Sequence, residues 1–142
     1  MMFSEILVAI NGNAQSDKVL ELAMRVAHDA TRVHVVSVIA YEFSAPDLES
    51  RQASPASWAE QLHCEEIVEK ARLFLQARHI KCTATVIAGD PEHAICNHAR
   101  EQGCDLIVMG HHHMSTFERL VGNSVAYEVL QNAPCPILIE AG

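Results

Sequence analysis

The run Ile6-Leu7-Val8-Ala9-Ile10 is uninterrupted in its hydrophobicity and stops at Asn11-Gly12-Asn13. A strand with one face in water alternates apolar and polar residues. A short run without alternation suits a strand buried on both faces, as in a parallel sheet covered by helices, and Asn-Gly-Asn is turn chemistry. Further strand-like runs, β-branched at Val33 to Ile39 and imperfectly alternating at Cys82 to Ala88, are separated by segments with a helical period. From Ser16 to Ala30, Val19, Leu20, Leu22, Ala23, Val26 and Ala27 recur on one helix face, with Asp17 in the first turn where the dipole favours negative charge. Val33 to Ile39 is the second strand. Residues 41 to 56, with Pro46, Pro55 and several serines, read as a long connection. Trp58 to Ala77 reads as a helix whose apolar residues are Leu62, Ile67, Val68, Ala71, Leu73 and Leu75, and Cys82 to Ala88 as the third strand. After Gly89, Asp90 suits an N-cap and Pro91 the first helical position; the helix Glu92 to Gln102 stops at Gly103. Asp105 to Met109 is the fourth strand, Gly122 to Asn132 the fourth helix and Pro136 to Ile139 the fifth strand.

Five strands alternating with four helices predict an α/β fold, a doubly wound five-stranded parallel sheet with helices on both faces, in one domain over residues 1–142. Ten Lys and Arg against eighteen Asp and Glu give a formal charge of −8, which argues against nucleic acid or an anionic membrane as a partner. Nine histidines stand outside that sum and make the charge sensitive to pH near neutrality. The five cysteines are odd in number and form no C-x-x-C pair, so they read as free thiols packed like small hydrophobes. No apolar stretch approaches the roughly 20 residues of a membrane span. The N-terminal residues lack the pattern of a signal peptide, and a cytoplasmic location is expected.

Doubly wound sheets bind ligands beyond the carboxyl ends of their strands, where the winding direction reverses. The informative loops are therefore Asn11-Gly12-Asn13 and the segment from Gly110 to Ser124. Neither G-x-G-x-x-G nor G-x-x-x-x-G-K-[ST] occurs, no serine has nucleophile-elbow context, and no paired carboxylates share an evident cleft, so no catalytic residue is assigned. Gly89-Asp90-Pro91 is explained by capping.

Nearly the whole chain nevertheless resembles the universal stress protein (UspA) family. The resemblance is carried by Ile6-Leu7-Val8-Ala9-Ile10-Asn11-Gly12, Gly89-Asp90-Pro91, Asp105-Leu106-Ile107-Val108-Met109-Gly110 and Ala133-Pro134-Cys135-Pro136-Ile137-Leu138-Ile139. It implies a five-stranded parallel α/β sheet and a homodimer formed through the last strand, Pro136 to Ile139. ATP-binding members carry G-x2-G-x9-G-[ST] after strand 4. Here Gly110 matches the first glycine and Ser124, followed by Val125, the final hydroxyl residue. His113 stands at the second glycine and Asn123 at the third, with Gly122 one residue early, and Asn11 replaces the usual aspartate near the ribose. The resemblance thus implies an altered site for ATP or another adenine nucleotide with Mg. Ala9, Ile10 and Asn11 would stand beside the nucleoside, Val38 near adenine, Met109 and Gly110 beneath, and His113, Gly122, Asn123, Ser124 and Val125 around the phosphates.

Ser115-Thr116-Phe117-Glu118 fits a capping box, which would aim free N–H groups at an anion beside His111, His112 and His113; the rival reading is a capped turn in a solvated loop. Three consecutive imidazoles in an extended segment point in alternate directions, so no metal site is expected there. The other histidines, His28, His34, His63, His79, His93 and His98, lack ligand spacing, and most are expected to be surface or half-buried residues. Trp58 and Phe74 read as core or interface contacts. The leading expectation is a regulatory or binding module with an altered nucleotide site. Its rivals are an interaction protein independent of nucleotide and, behind it, a slow ATPase or phosphotransferase.

Overall fold

The computed structural model describes residues 3–12, 15–40, 55–110 and 125–141. Along them run β1 (Glu5–Ala9), α1 (Gln15–Val26), β2 (Arg32–Ala40), α2 (Pro55–Gln76), β3 (Lys81–Gly89), α3 (Pro91–Glu101), β4 (Leu106–Gly110), α4 (Val125–Asn132) and β5 (Ile137–Glu140). The strands form one sheet in the order β3-β2-β1-β4-β5, with every neighbouring pair parallel. The alternation read from the sequence is the alternation observed.

Successive residues of a strand point to opposite faces, and β1 feeds both cores. Ile6, Val8 and Ile10 join Val33, Val35, Leu106 and Val108 beneath α1 and α2, whose Val19, Leu20, Ala23, Val68, Ala71 and Leu75 close the first core. Leu7 and Ala9 join Val36, Ile107 and Met109 beneath α3 and α4, with Ile95, Cys96, Ala99 and Val129. Burial on both faces explains why β1 and β4 have no polar alternation. Each fully buried Ile or Leu contributes about 1.5–3 kcal/mol.

Several boundaries differ from the sequence expectation, for local reasons. The first helix ends at Val26 rather than Ala30, because Thr31 Oγ1 accepts from the His28 N–H (3.0 Å) and donates to the Phe3 carbonyl (2.7 Å), which turns the chain toward β2. α2 begins at Pro55, inside the segment read as a connection; a first-turn proline loses no helical hydrogen bond. β4 starts after Asp105, whose carboxylate accepts the N–H groups of Ser4 (3.0 Å) and Glu5 (3.1 Å) and fastens the start of β1. Gly103 ends α3 at φ 65°, the left-handed stop expected of it. Asp90 has the N-cap backbone of α3 but makes no side-chain capping hydrogen bond; its Oδ2 lies 3.0 Å from His93 Nδ1 instead. Residues 41–54 and 122–124 lie outside the described residues.

Trp58 is 61% exposed, which removes the core alternative of its core-or-interface reading; Leu62 and Leu73 also face outward from α2. Phe74 is partly buried against the first core, with the Arg78 guanidinium 3.6 Å from its ring centre. The five cysteines are free thiols. Burial raises the thiol pKa at all five, most at Cys104, where it reaches about 12. They are poor nucleophiles and serve as packing.

Candidate functional site at the switch between the first and fourth strands

Winding reverses between β1 and β4, so the crevice beyond their carboxyl ends is the place where a doubly wound sheet takes a ligand. Ala9 pairs with Met109 in register, which sets Ile10 and Asn11 beside Gly110 at the mouth. Ala9, Ile10 and Met109 are almost wholly buried, so their backbones rather than their side chains border the crevice.

The next strand overshoots. The Ile10 N–H donates to the Val36 carbonyl at 3.0 Å, and β1 then turns away, while β2 continues to Ala40. Backbone groups two residues apart on a strand point the same way. The N–H and C=O of Val38 therefore project toward the side that β1 has left, a donor and an acceptor at the edge of the crevice. Val38 pairs on its other flank with Ile87.

The turn after β1 is organised by α1. Ser16 Oγ accepts the N–H groups of Asn11 (3.3 Å) and Gly12 (3.0 Å). Gly12 holds φ +82° beneath Ile67 of α2, whose Cδ1 would lie 2.7 Å from an added Cβ. The positive φ favours glycine there, and an added Cβ would in addition force the Ile67 side chain to shift. At Gly110 the backbone makes no such demand, and an added Cβ would lie 2.2 Å from Gln15 Oε1, the far end of a flexible side chain. The Gln15 amide fills the space above Gly110 and donates to the Glu140 carbonyl at 2.9 Å. The remaining gap, lined by Ala9, Ile10, Asn11, Gln15, Ser16 and Gly110 among others, is about 10 Å³, room for one water.

The structure thus brings Ala9, Ile10, Asn11, Val38, Met109 and Gly110 to one end of the sheet. His113, Gly122, Asn123 and Ser124 lie outside the described residues, as do His111, His112 and the segment Ser115 to Glu118; Val125 is placed only as the first residue of α4.

Two features were missed in the sequence. A groove of about 490 Å³ runs between α1 and α2, with Ile10, Leu20, Ile67 and Phe74 along it and Asp17, His63, Glu66 and Lys70 at its rim. It is roomier than the crevice at the switch point, but its charged groups lie in water on the helix surfaces, whereas topology converges strand ends and backbone polar groups on the crevice. The spacing of residues 63, 67, 70 and 74 on one stripe of α2 was the available signal. The second feature is at the start of α3, where ligand atoms of Asp90, Glu92 and His93 lie within 4.8 Å of one another. Burial, and then the neighbouring Asp90 carboxyl, raise the Glu92 pKa. The paired carboxylates that sequence reading did not find are these two, Asp90 and Glu92, brought together by the first helical turn.

Comparison with known proteins identifies the fold's lineage. The model of the universal stress protein family matches residues 2–139. The chain belongs to the universal stress protein family. Among curated universal stress proteins, YxiE of Bacillus subtilis is 28% identical over 146 aligned positions, covering 97% of this chain and 99% of that protein. Universal stress protein UspA from Lactobacillus plantarum superposes with a TM-score of 0.82 at 20% identity, over 99% of both chains. A universal stress protein family member from Arabidopsis thaliana, solved with AMP bound, superposes with a TM-score of 0.64 at 18% identity, over 96% of this chain and 90% of that one. The five-stranded universal stress protein sheet is thus established here, and among the described residues no helix is long and apolar enough to cross a membrane.

Proposed function

We propose that this universal stress protein is a small regulatory module that binds an adenine nucleotide in the crevice beyond β1, β2 and β4. The observation that carries this reading is the overshoot of β2. It leaves the Val38 N–H and C=O facing the crevice mouth, a donor and acceptor pair matched to the edge of an adenine ring. Asn11 stands at the same mouth and supplies an amide for a ribose hydroxyl. Gly110 ends β4 without a side chain, so a phosphate can approach its backbone once the space above it is cleared. The AMP-bound relative with the same fold supports the ligand class.

By family resemblance, His113, Gly122, Asn123, Ser124 and Val125 surround the phosphates, with Mg as counterion. A histidine in place of glycine supplies a cationic donor when protonated, at the cost of backbone freedom. The protein works in the cytoplasm as a homodimer joined through the last strand. Among the described residues β5 pairs with β4 alone, and its half-buried Ile137, Leu138 and Ile139 gain cover when its other edge is paired.

Calorimetric titration with ATP and Mg²⁺ tests the proposal: saturable binding is expected, and none at millimolar nucleotide would refute it. The second reading, a nucleotide-independent interaction protein, is favoured by the exposed Trp58, Leu62 and Leu73 along α2 and Tyr127 and Leu130 on α4. Partners captured equally by the wild type and by a Gly110→Ala variant that no longer binds nucleotide would support it.

A further inference from the structure

The position most intimate with Gly110 is held by this chain's own side chain. Gln15 opens α1, is only 9% exposed, and places Oε1 where a Gly110 Cβ would be, 2.2 Å from that point. Its Nε2 donates to the carbonyl of Glu140, the last residue of β5, across 125 positions of sequence. One amide thus touches the first helix, the end of the fourth strand and the end of the edge strand. With Gln15 in place the gap is about 10 Å³, far below what a sugar or phosphate needs.

We propose that Gln15 is an internal occupant of the nucleotide crevice, and that a nucleotide reaching Gly110 must displace its amide and so release Glu140 at the end of β5. This rests on the nucleotide reading above and adds a regulation that the reading does not contain. The amide competes with the ligand for the same space, and its competing state is held by a specific hydrogen bond to the edge strand. Occupancy of the crevice and the state of the β5 terminus are therefore linked, and linkage is reciprocal: anything that secures the Gln15–Glu140 bond weakens nucleotide binding, and bound nucleotide loosens that end of β5. Crevice and edge strand communicate through one side chain, without movement of the sheet.

The test is ATP titration of the wild type, Gln15→Ala and Gln15→Met, with the Gln15 side-chain amide followed by NMR in the wild type. Gln15→Ala removes bulk and tether together, and loss of the competing Gln15–Glu140 hydrogen bond predicts ATP affinity raised about five- to tenfold. Gln15→Met keeps most of the bulk without the donor and falls between the two. In the wild type, the amide protons are protected from exchange in the free protein and lose that protection as ATP is added. Thermal melts establish that both variants are folded. Wild-type binding with unchanged or weaker affinity in Gln15→Ala, or with the amide still protected, overturns it and leaves the nucleotide reading standing. Absence of binding in every variant overturns both.

Discussion

His34 Nε2 lies 3.0 Å from Glu5 Oε1 at the end of the sheet opposite the crevice. His34 is 2% exposed and its other ring nitrogen lies 3.0 Å from Thr83 Oγ1. The register explains the arrangement: His34 stands opposite Thr83 on β3 and opposite Leu7 on β1, which puts Glu5 at the diagonal position within reach. Three strands are tied together by one buried imidazole, the exception to the expectation that the scattered histidines lie near the surface.

Removing Glu5 strands a buried ring nitrogen, so Glu5→Ala is expected to cost about 1–3 kcal/mol of stability. His34→Leu combined with Glu5→Ala costs less than the sum of the single changes, because the polar group left unsatisfied is then gone. Urea denaturation of the four proteins checks this; strictly additive losses would show that the pair is not coupled.

Gly12→Ala meets two obstacles, a left-handed backbone and the Ile67 side chain. A loss on the order of 1–3 kcal/mol is expected. Ile67→Ala in the same chain relieves the clash and leaves the conformational cost, so the added penalty of Gly12→Ala is smaller in that background. Equal penalties in both backgrounds would place the whole effect in the backbone.

His98, on α3, has its pKa lowered by burial and secondarily by the nearby His34, with Glu101 acting against both. The folded protein then holds fewer protons on His98 than the unfolded chain in the window from about 6.5 down to the lowered value. Stability therefore falls as pH drops through that window and is retained above it. His98→Gln should flatten the decline in melting temperature below about pH 6.5. An identical decline in the variant would assign the acid sensitivity to other groups.

If a protonated His113 assists phosphate, His113→Ala weakens ATP binding more at pH 6 than at pH 8. Equal losses at the two pH values would remove that role.

The sheet was legible because burial on both faces writes itself into β1 and β4 as unbroken apolar runs, and into β2 as a run rich in valine around His34 and Ser37. Element ends were displaced, the first helix by Thr31 and the fourth strand by Asp105, whose partners are far away in sequence. The crevice was legible in part. Asn11, Val38 and Gly110 follow from topology and the family resemblance, whereas the role of Gln15 depends on a contact with Glu140 that no local pattern encodes. For Trp58 the core alternative fails because the stripe facing the sheet is Cys64, Val68, Ala71 and Leu75. His34 was unreadable for the same reason as Gln15: its partners are on other strands.

The central claim is that the crevice beyond β1, β2 and β4 takes an adenine nucleotide. Amide chemical-shift mapping of the ¹⁵N-labelled protein during AMP titration tests it most directly. The account predicts saturable shifts centred on Asn11, Val38 and Gly110. Shifts centred instead on the groove at His63 and Lys70, or none at millimolar AMP, would contradict it.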